Sequence, residues 1–176
     1  PDVLQKNNSI FHLFTPQSSG RKLKVAFIYE KNPETSSWAY QHELGRNYIA
    51  SRFGTQLETM VYQDRDTPSR AADAIDEAVQ AGAKVVFTTT GMMVEASVQA
   101  KVKYPKVHIL NCSVNTSYNS IRTYYGRMYE AKFLMGALAA SVTEGHELGY
   151  AELCPLYGTL ANVNAFAIGA QMMDPY

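Results

Sequence analysis

The stretch YYGRMYEAKFLMG, residues 124–136, divides the chain into two parts with different organisation. Before it, short apolar runs typical of strands alternate regularly with segments typical of helices, and after it a long helix begins. Residues 121–125 are β-branched and aromatic, as in a short strand, and Gly126 permits a backbone angle that other residues resist. Across residues 128–142 the apolar side chains recur at helical spacing. We interpret this stretch as a hinge between two lobes.

The segments before the hinge predict a parallel sheet. Residues 23–29 form a near-continuous apolar run, as in a strand covered on both faces. A helix capped by Thr35, Ser36 or Ser37 is expected to follow, with Leu44, Tyr48 and Ile49 on its buried side. Further strands are predicted at 56–62, 83–87, 107–110 and 121–125, and further helices at 68–81, 92–104 and 128–142. Strands separated by helices imply right-handed crossovers and a doubly wound α/β fold.

The predicted domain organisation is a complete first lobe and an unfinished second one. The first lobe is expected over residues 21–126 and the second over 127–176, where a strand at 148–153 and a helix at 159–173 are predicted. Residues 1–20 are polar and irregular, and we expect a linker or a segment docked on the surface. Because the chain starts at Pro1 with no signal-like segment, it looks cut from a longer protein, so its start does not indicate a compartment.

The composition excludes several classes of protein. Of 176 residues, 46% are hydrophobic and 18% charged, which is ordinary for a soluble globular protein and excludes disorder. Lys plus Arg and Asp plus Glu number 16 each, so no net field favours nucleic acid or an anionic membrane. No apolar run approaches the roughly 18 residues that span a bilayer.

The doubly wound fold predicts where a ligand would bind. Ligands of such sheets lie beyond the carboxyl ends of the strands, at the point where the strand order reverses. This rule selects the loops at residues 30–38, 88–93, 111–117 and 126–130. Trp38 lies at the end of the first loop, and its indole offers a flat face that contributes roughly 1–3 kcal/mol when a base stacks on it. The alternative is a core aromatic beneath a loop.

Polar groups at the ends of the third and fourth predicted strands are further candidates. Thr88, Thr89, Thr90 and Gly91 end the third predicted strand, and the three hydroxyls, with the exposed amides of the next helix from Met92, could hydrogen-bond polar ligand atoms. Simple helix capping by Thr90 is an equally good explanation. Asn111, followed by Cys112, ends the fourth strand, and its amide offers both a donor and an acceptor, which suits the mixed edge of a heterocycle.

Arg127 and Glu130 follow the hinge glycine, and we expect them to pair as a structural clamp rather than to contact a ligand. Cys112 and Cys154 each lie at or just after an apolar run. Buried structural thiols are the favoured interpretation, and a disulfide would require the two strand ends to be adjacent.

The sequence offers little for catalysis. It contains no Gly-x-Ser-x-Gly, no His-Glu-x-x-His, no phosphate-binding glycine motif and no acidic cluster suited to a metal. The four histidines are scattered, without the Cys/His spacing of a zinc site. His42 and Glu43 on the first helix are most simply a solvated pair. An enzyme is therefore disfavoured, and neither a metal nor a cofactor is expected.

Five segments of the chain resemble the basic membrane protein (BMP) family of substrate-binding proteins, which includes purine-nucleoside receptor lipoproteins of bacterial ABC transporters. They are KVAFIY at 24–29, SWAYQHELGR at 37–46, YGRMYEA at 125–131, FLMG at 133–136 and NAFAIGA at 164–170. The resemblance covers roughly residues 23–176.

The resemblance implies a type I periplasmic-binding-protein fold, with two α/β lobes, a hinge and a ligand clamped between the lobes. It implies that an aromatic at the position of Trp38 stacks on a purine, with Thr90 and Asn111 as matching first-lobe contacts. An acidic residue that nucleoside-binding members use for the ribose has no clear match at residues 31–34, and the second-lobe residues over the sugar lie beyond Tyr176. The resemblance therefore supports a purine-like ligand better than a nucleoside.

Three hypotheses follow for the function. The favoured one is a fragment of an ABC-transporter receptor that binds a purine base or nucleoside. Its partners would be the transporter permease and a remaining second-lobe segment or partner chain, with no nucleic acid. Such a receptor would be an extracytoplasmic, membrane-anchored lipoprotein. The alternative is a ligand-sensing domain of a cytoplasmic regulator with the same fold. A nucleoside-cleaving enzyme is the third hypothesis and is not expected.

Overall fold

Five parallel strands form one sheet in the order β2-β1-β3-β4-β5. The computed structural model describes residues 22–113, 120–152 and 159–175. The strands are β1 (Leu23–Ile28), β2 (Leu57–Tyr62), β3 (Val85–Thr88), β4 (His108–Cys112) and β5 (Arg122–Tyr124). Every neighbouring pair is parallel, which confirms the predicted doubly wound α/β class.

The helices begin and end close to the positions that the sequence predicts. They are α1 (Ser37–Phe53), α2 (Pro68–Gln80), α3 (Val94–Lys103), α4 (Met128–Val142) and α5 (Thr159–Met173), with short 3₁₀ helices at Gly54–Gln56 and Gly91–Met93. Ser36 caps α1, because its hydroxyl accepts from the Ala39 amide at 3.2 Å. Thr67 caps α2 in the same way, just before the proline that opens the helix.

The sheet is buried on both faces. On one face, small alanines of α2 and α3 pack against apolar strand residues such as Ile28, Val86 and Ile109. On the other face, α1 covers a cluster in which the rings of Phe27 and Phe87 stack 4.9 Å apart. Burial on both faces explains why the first strand is apolar at nearly every position rather than at alternate positions.

The inward side of α1 differs from the predicted one. Leu44 and Tyr48 are 44% and 68% exposed, while Ile49 packs on the sheet as expected. The prediction was wrong for Leu44 and Tyr48. The polar pair Glu43 and Arg46 lies on the inward side of α1, among its apolar contacts with the sheet. An ion pair that turns inward breaks the rule that apolar periodicity defines the buried side.

Glu43 and Arg46 form a hydrogen-bonded group beneath α1, not the solvated His42–Glu43 pair that the sequence suggests. The Tyr29 hydroxyl and Arg46 Nε each donate to Glu43 Oε2 at 2.8 Å, and Arg46 Nη1 donates to Thr59 Oγ1 at 2.8 Å. Arg46 Nη2 also contacts Glu43 Oε1. Hydrogen bonding to the Arg46 guanidinium holds the pKa of Glu43 below its ordinary value of 4.5.

Helices α4 and α5 pack together through two glycines. A Cβ atom on Gly136 would lie 2.0 Å from the Phe166 carbonyl oxygen, and one on Gly169 would lie 2.0 Å from the Phe133 carbonyl oxygen. The two backbones therefore touch directly. The other sides of the pair are apolar and exposed, at Leu134, Leu138, Val142, Leu160, Ile168 and Met172.

The strand predicted at 148–153 is not found over its described part, residues 148–152. A strand requires a neighbour whose backbone completes its hydrogen bonds, and no described segment lies beside this one as a strand. Tyr150 instead packs edge-on against Phe166, with the ring centroids 5.0 Å apart. The expectations for residues 1–20, Leu153 and Cys154 lie outside the described residues.

We expect Gly136→Ala to destabilise the protein by about 1–3 kcal/mol, because the added methyl group must displace a backbone carbonyl rather than a flexible side chain. Gly45→Ala is the matched control, since Gly45 lies in the interior of α1 with nothing within 4 Å of an added Cβ. That change should stabilise by about 0.5–1 kcal/mol. Urea unfolding of both variants measures the difference, and an unchanged stability for Gly136→Ala would show that the helices pack less closely.

We expect Glu43→Gln to lower stability by about 1–2 kcal/mol at neutral pH, because it removes the charge from the hydrogen bonds to Arg46 and Tyr29. Since the pKa of Glu43 is depressed on folding, the stabilisation is present above the unfolded value and is lost as pH falls through the lower folded value. The difference in melting temperature between wild type and Glu43→Gln should therefore become smaller below about pH 4.5. Glu34→Gln, at an exposed loop position, should show no such gap. A gap that persists unchanged to pH 3 would contradict the assignment.

Candidate ligand-binding site

The strand order reverses between β1 and β3, which brings the loops that follow these two strands together. Trp38 lies in the first turn of α1, and its indole Nε1 donates to the Thr89 carbonyl oxygen at 2.7 Å. One hydrogen bond thus joins the loop after β1 to the loop after β3. Two of the four loops that the sequence selects as candidates therefore meet at this edge of the sheet.

Trp38 lies at the open edge of the sheet rather than in the core. Its side chain is 37% exposed, and the ring lies near His42 and Tyr125, with centroids 5.3 and 6.4 Å away. Tyr125, 38% exposed, is a candidate that the sequence reasoning missed. The signal was present, because Tyr125 follows the carboxyl end of β5 as Trp38 follows that of β1.

His42 supports this edge from within α1. Its Nδ1 lies 3.0 Å from the Trp38 carbonyl oxygen, and its ring meets Tyr124 edge-on at 6.2 Å. Burial lowers the pKa of His42, so the ring is neutral at physiological pH. The aromatic group at the open edge therefore carries no charge, which suits a neutral ligand.

The threonines after β3 have different roles. The Thr89 hydroxyl donates to the Ile28 carbonyl oxygen at 2.8 Å, so it ties the loop to β1. Thr90 stands at the N-cap position of the 3₁₀ helix, but its side chain makes no capping hydrogen bond, so the capping alternative is wrong. Thr90 Oγ1 is buried and has no partner among the described residues. Gly91 and Met92 form the start of that 3₁₀ helix, with Met92 exposed.

Asn111 is fully buried at the end of β4. Its Nδ2 donates to Thr88 Oγ1 at 2.8 Å and to the Thr90 carbonyl oxygen at 2.9 Å. Its Oδ1 is buried with no partner in the described parts of the chain. The expectation that this amide offers both a donor and an acceptor is therefore half wrong, because only the acceptor is free.

Cys112 points to the opposite face of the sheet from Asn111, because side chains alternate along a strand. It is a buried free thiol beside Tyr124, and burial raises its pKa to about 11, so it remains protonated. Asn111 and Cys112 therefore do not share one face of the site. The disulfide question involves Cys154, which lies outside the described residues.

The hinge segment shows the expected ion pair but not the expected glycine geometry. Arg127 Nη1 lies 3.0 Å from Glu130 Oε1, and the two side chains are 74% and 55% exposed, so the pair contributes about 0.2–1 kcal/mol. The described glycines with positive φ are Gly54 and Gly82, not Gly126. Gly126 therefore does not adopt the left-handed angle that a glycine permits, and its role as a hinge stays a prediction.

Residues 22–113, 120–152 and 159–175 contain no group of three or more His, Cys, Asp or Glu side chains placed to hold a metal ion. Over the same residues, no helix is long and apolar enough to cross a membrane.

Two curated proteins are similar to most of the chain. A purine-binding protein of Brucella abortus (strain 2308) is 29% identical over 154 residues, which cover 88% of this chain and 44% of that protein. A putative ABC transporter glucose-binding protein of Haloferax volcanii is 25% identical over 158 residues, which cover 90% of this chain and 40% of that protein. The chain spans less than half the length of these relatives.

The fold is also that of a solved solute-binding protein of an ABC transporter system from Aeropyrum pernix K1, with a TM-score of 0.70 over 87% of this chain and 44% of that one, at 14% identity. Residues 22–176 match the model of the Bmp family, described as ABC transporter substrate-binding protein PnrA-like. This is a family of transport proteins rather than of enzymes. The resemblance found in the sequence is confirmed, and the chain belongs to the Bmp family of PnrA-like ABC transporter substrate-binding proteins.

Proposed function

We propose that this chain supplies the first lobe, and the start of the second, of a receptor that delivers a purine base to an ABC transporter. The observation that carries the proposal is the half-exposed Trp38, held by its indole N–H against the loop after β3. Its ring, with Tyr125 beside it, offers a flat apolar surface of the kind on which a heterocycle stacks. Thr90, just after β3, and Asn111, near the end of β4, each have a buried polar atom without a partner among the described residues.

A purine fits these groups better than a sugar does. A purine is planar and neutral, with hydrogen-bonding atoms along its edge, whereas a sugar carries hydroxyls around its whole ring. Pockets for small ligands are mostly apolar, with a few placed polar groups that fix the orientation. The printed name of the more similar of the two relatives, purine-binding protein, supports the same choice.

The loop after β1 favours a free base over a nucleoside. An acidic residue for the ribose has no clear match at residues 31–34, and in this segment the Asn32 Oδ1 accepts from the Glu34 amide at 2.8 Å. The Asn32 amide in turn donates to Asp64 Oδ1 at 3.1 Å. These contacts hold Asn32 in a turn, so its side-chain oxygen already has a partner within the loop.

The proposal includes partners for the second lobe and for transport. The exposed apolar sides of α4 and α5 require a cover, which a further second-lobe segment or a partner chain would supply. The permease of the transporter would receive the ligand, and the receptor would be an extracytoplasmic lipoprotein. A ligand-sensing domain of a cytoplasmic regulator would share the fold, but membership of the substrate-binding family favours the receptor.

We expect Trp38→Ala in the full-length protein to weaken adenine binding by about 1–3 kcal/mol, because the stacking surface is lost. Trp38→Phe is the matched control: it keeps an aromatic face but loses the hydrogen bond to Thr89, so it should retain most of the affinity. Isothermal titration with adenine, and with glucose as the competing class, measures the effect. A wild-type protein that binds glucose and no purine would overturn the proposed function. Lost thermal stability in Trp38→Ala with unchanged affinity would show that the ring only holds the loop.

We also expect the 176-residue chain alone to bind adenine far more weakly than the full-length protein, because hinged receptors take ligand contacts from both lobes. Titration of the two forms side by side tests this expectation. Micromolar binding by the isolated, monomeric chain would contradict it.

A further inference from the structure

The amide of Asn111 is fully buried at the end of β4, beside the candidate site. We propose that Asn111 presents its Oδ1, and not its NH₂ group, to the ligand, so that the site selects purines with an N–H donor on the edge that reaches the ends of β3 and β4. This inference rests on the proposed function, because it names the ligands of the same site. It makes Thr88 and Ser97 the residues that position Asn111.

A chain of buried hydrogen bonds fixes the direction of the amide. Ser97 Oγ lies 2.7 Å from the Met93 carbonyl oxygen, which can only accept, so the Ser97 proton is committed there. Thr88 Oγ1 lies 2.9 Å from Ser97 Oγ, so Thr88 must be the donor in that pair. The Thr88 oxygen is then left to accept from Asn111 Nδ2 at 2.8 Å.

A second carbonyl fixes the same orientation independently. Asn111 Nδ2 also donates to the Thr90 carbonyl oxygen at 2.9 Å. If the amide were rotated by half a turn, Oδ1 would face the Thr90 carbonyl oxygen and the two oxygens would repel each other. Asn111 could then no longer donate to Thr88 Oγ1. Both N–H groups of Asn111 are therefore committed to the protein. What remains for a ligand is a buried acceptor with no partner among the described residues.

If a buried acceptor stays unpaired in the complex, the equilibrium constant for ligand binding is lower by a factor of roughly 5 to 150. A ligand that brings an N–H to Asn111 Oδ1 recovers this factor, and a ligand that brings another acceptor or a methyl group does not. The unpartnered Thr90 hydroxyl can donate to a neighbouring ring nitrogen or carbonyl of the ligand. Two common purines present a donor next to an acceptor. Adenine has its amino group beside N1, and hypoxanthine has N1–H beside its carbonyl group.

Titration of the full-length protein with adenine and 6-methylpurine tests the inference, because the methyl group replaces the amino donor at nearly the same size. We expect wild type to prefer adenine by about 10- to 100-fold. Asn111→Leu should reduce the preference to about threefold or less by weakening adenine binding selectively. Thr90→Val is the matched control. It should weaken both ligands alike and leave the preference unchanged, because both carry the ring nitrogen.

Thr88→Val and Thr88→Ser give a second test that does not depend on folding of the Asn111 variant. Thr88→Val removes the hydroxyl that positions the amide and should lower the preference for adenine, while Thr88→Ser should retain it. Equal affinity of wild type for the two purines would overturn the inference and leave the proposed function standing. A preference that survives in Asn111→Leu or Thr88→Val, or that is lost in Thr90→Val, would also overturn it. Absence of any purine binding would instead reject the proposed function, and the inference with it.

Discussion

Burial of a parallel sheet on both faces is the constraint on which the rest of this structure depends. Helices cover each face, so the central strands are apolar along most of their length, and in β3 and β4 the polar side chains lie at or near the strand ends. All five strands run in the same direction, and their carboxyl ends therefore meet at one edge. Thr88 and Asn111, the polar residues near the ends of β3 and β4, are paired there because Thr88 lies opposite Asn111 in the register. The candidate site is thus a consequence of the fold and not an addition to it.

The sequence predicts the elements whose signal is local. The apolar run of β1 and the periodic pattern and length of α5 are examples, since both depend on residues close together in the chain. The edge of the sheet at which a ligand would bind could also be predicted, because the carboxyl ends of parallel strands meet at one edge. The sequence therefore predicts Trp38 at the ligand edge of the sheet, whereas its contact with the loop after β3 is found in the structure.

The features that the sequence did not predict depend on contacts between distant residues. The inward side of α1 is set by Tyr29 and Thr59, which hold Glu43 and Arg46 beneath the helix. The free acceptor of Asn111 is set by the Thr88 hydroxyl and the Thr90 carbonyl oxygen, which no pattern around residue 111 reveals. Residues 148–152 form no strand, because no described segment pairs with them. The strand propensity of a segment does not reveal whether a neighbouring strand exists.

The direct backbone contact between α4 and α5 has a mechanical consequence. Helices that meet through side chains can slide past one another by changing rotamers, but at Gly136 and Gly169 there is no side chain to rearrange. A small translation of either helix would drive a carbonyl oxygen into the opposite backbone. The two helices therefore move together as a single rigid body. Within the described residues, the backbone that joins this pair of helices to the sheet is the short segment between β5 and α4, residues 125–127.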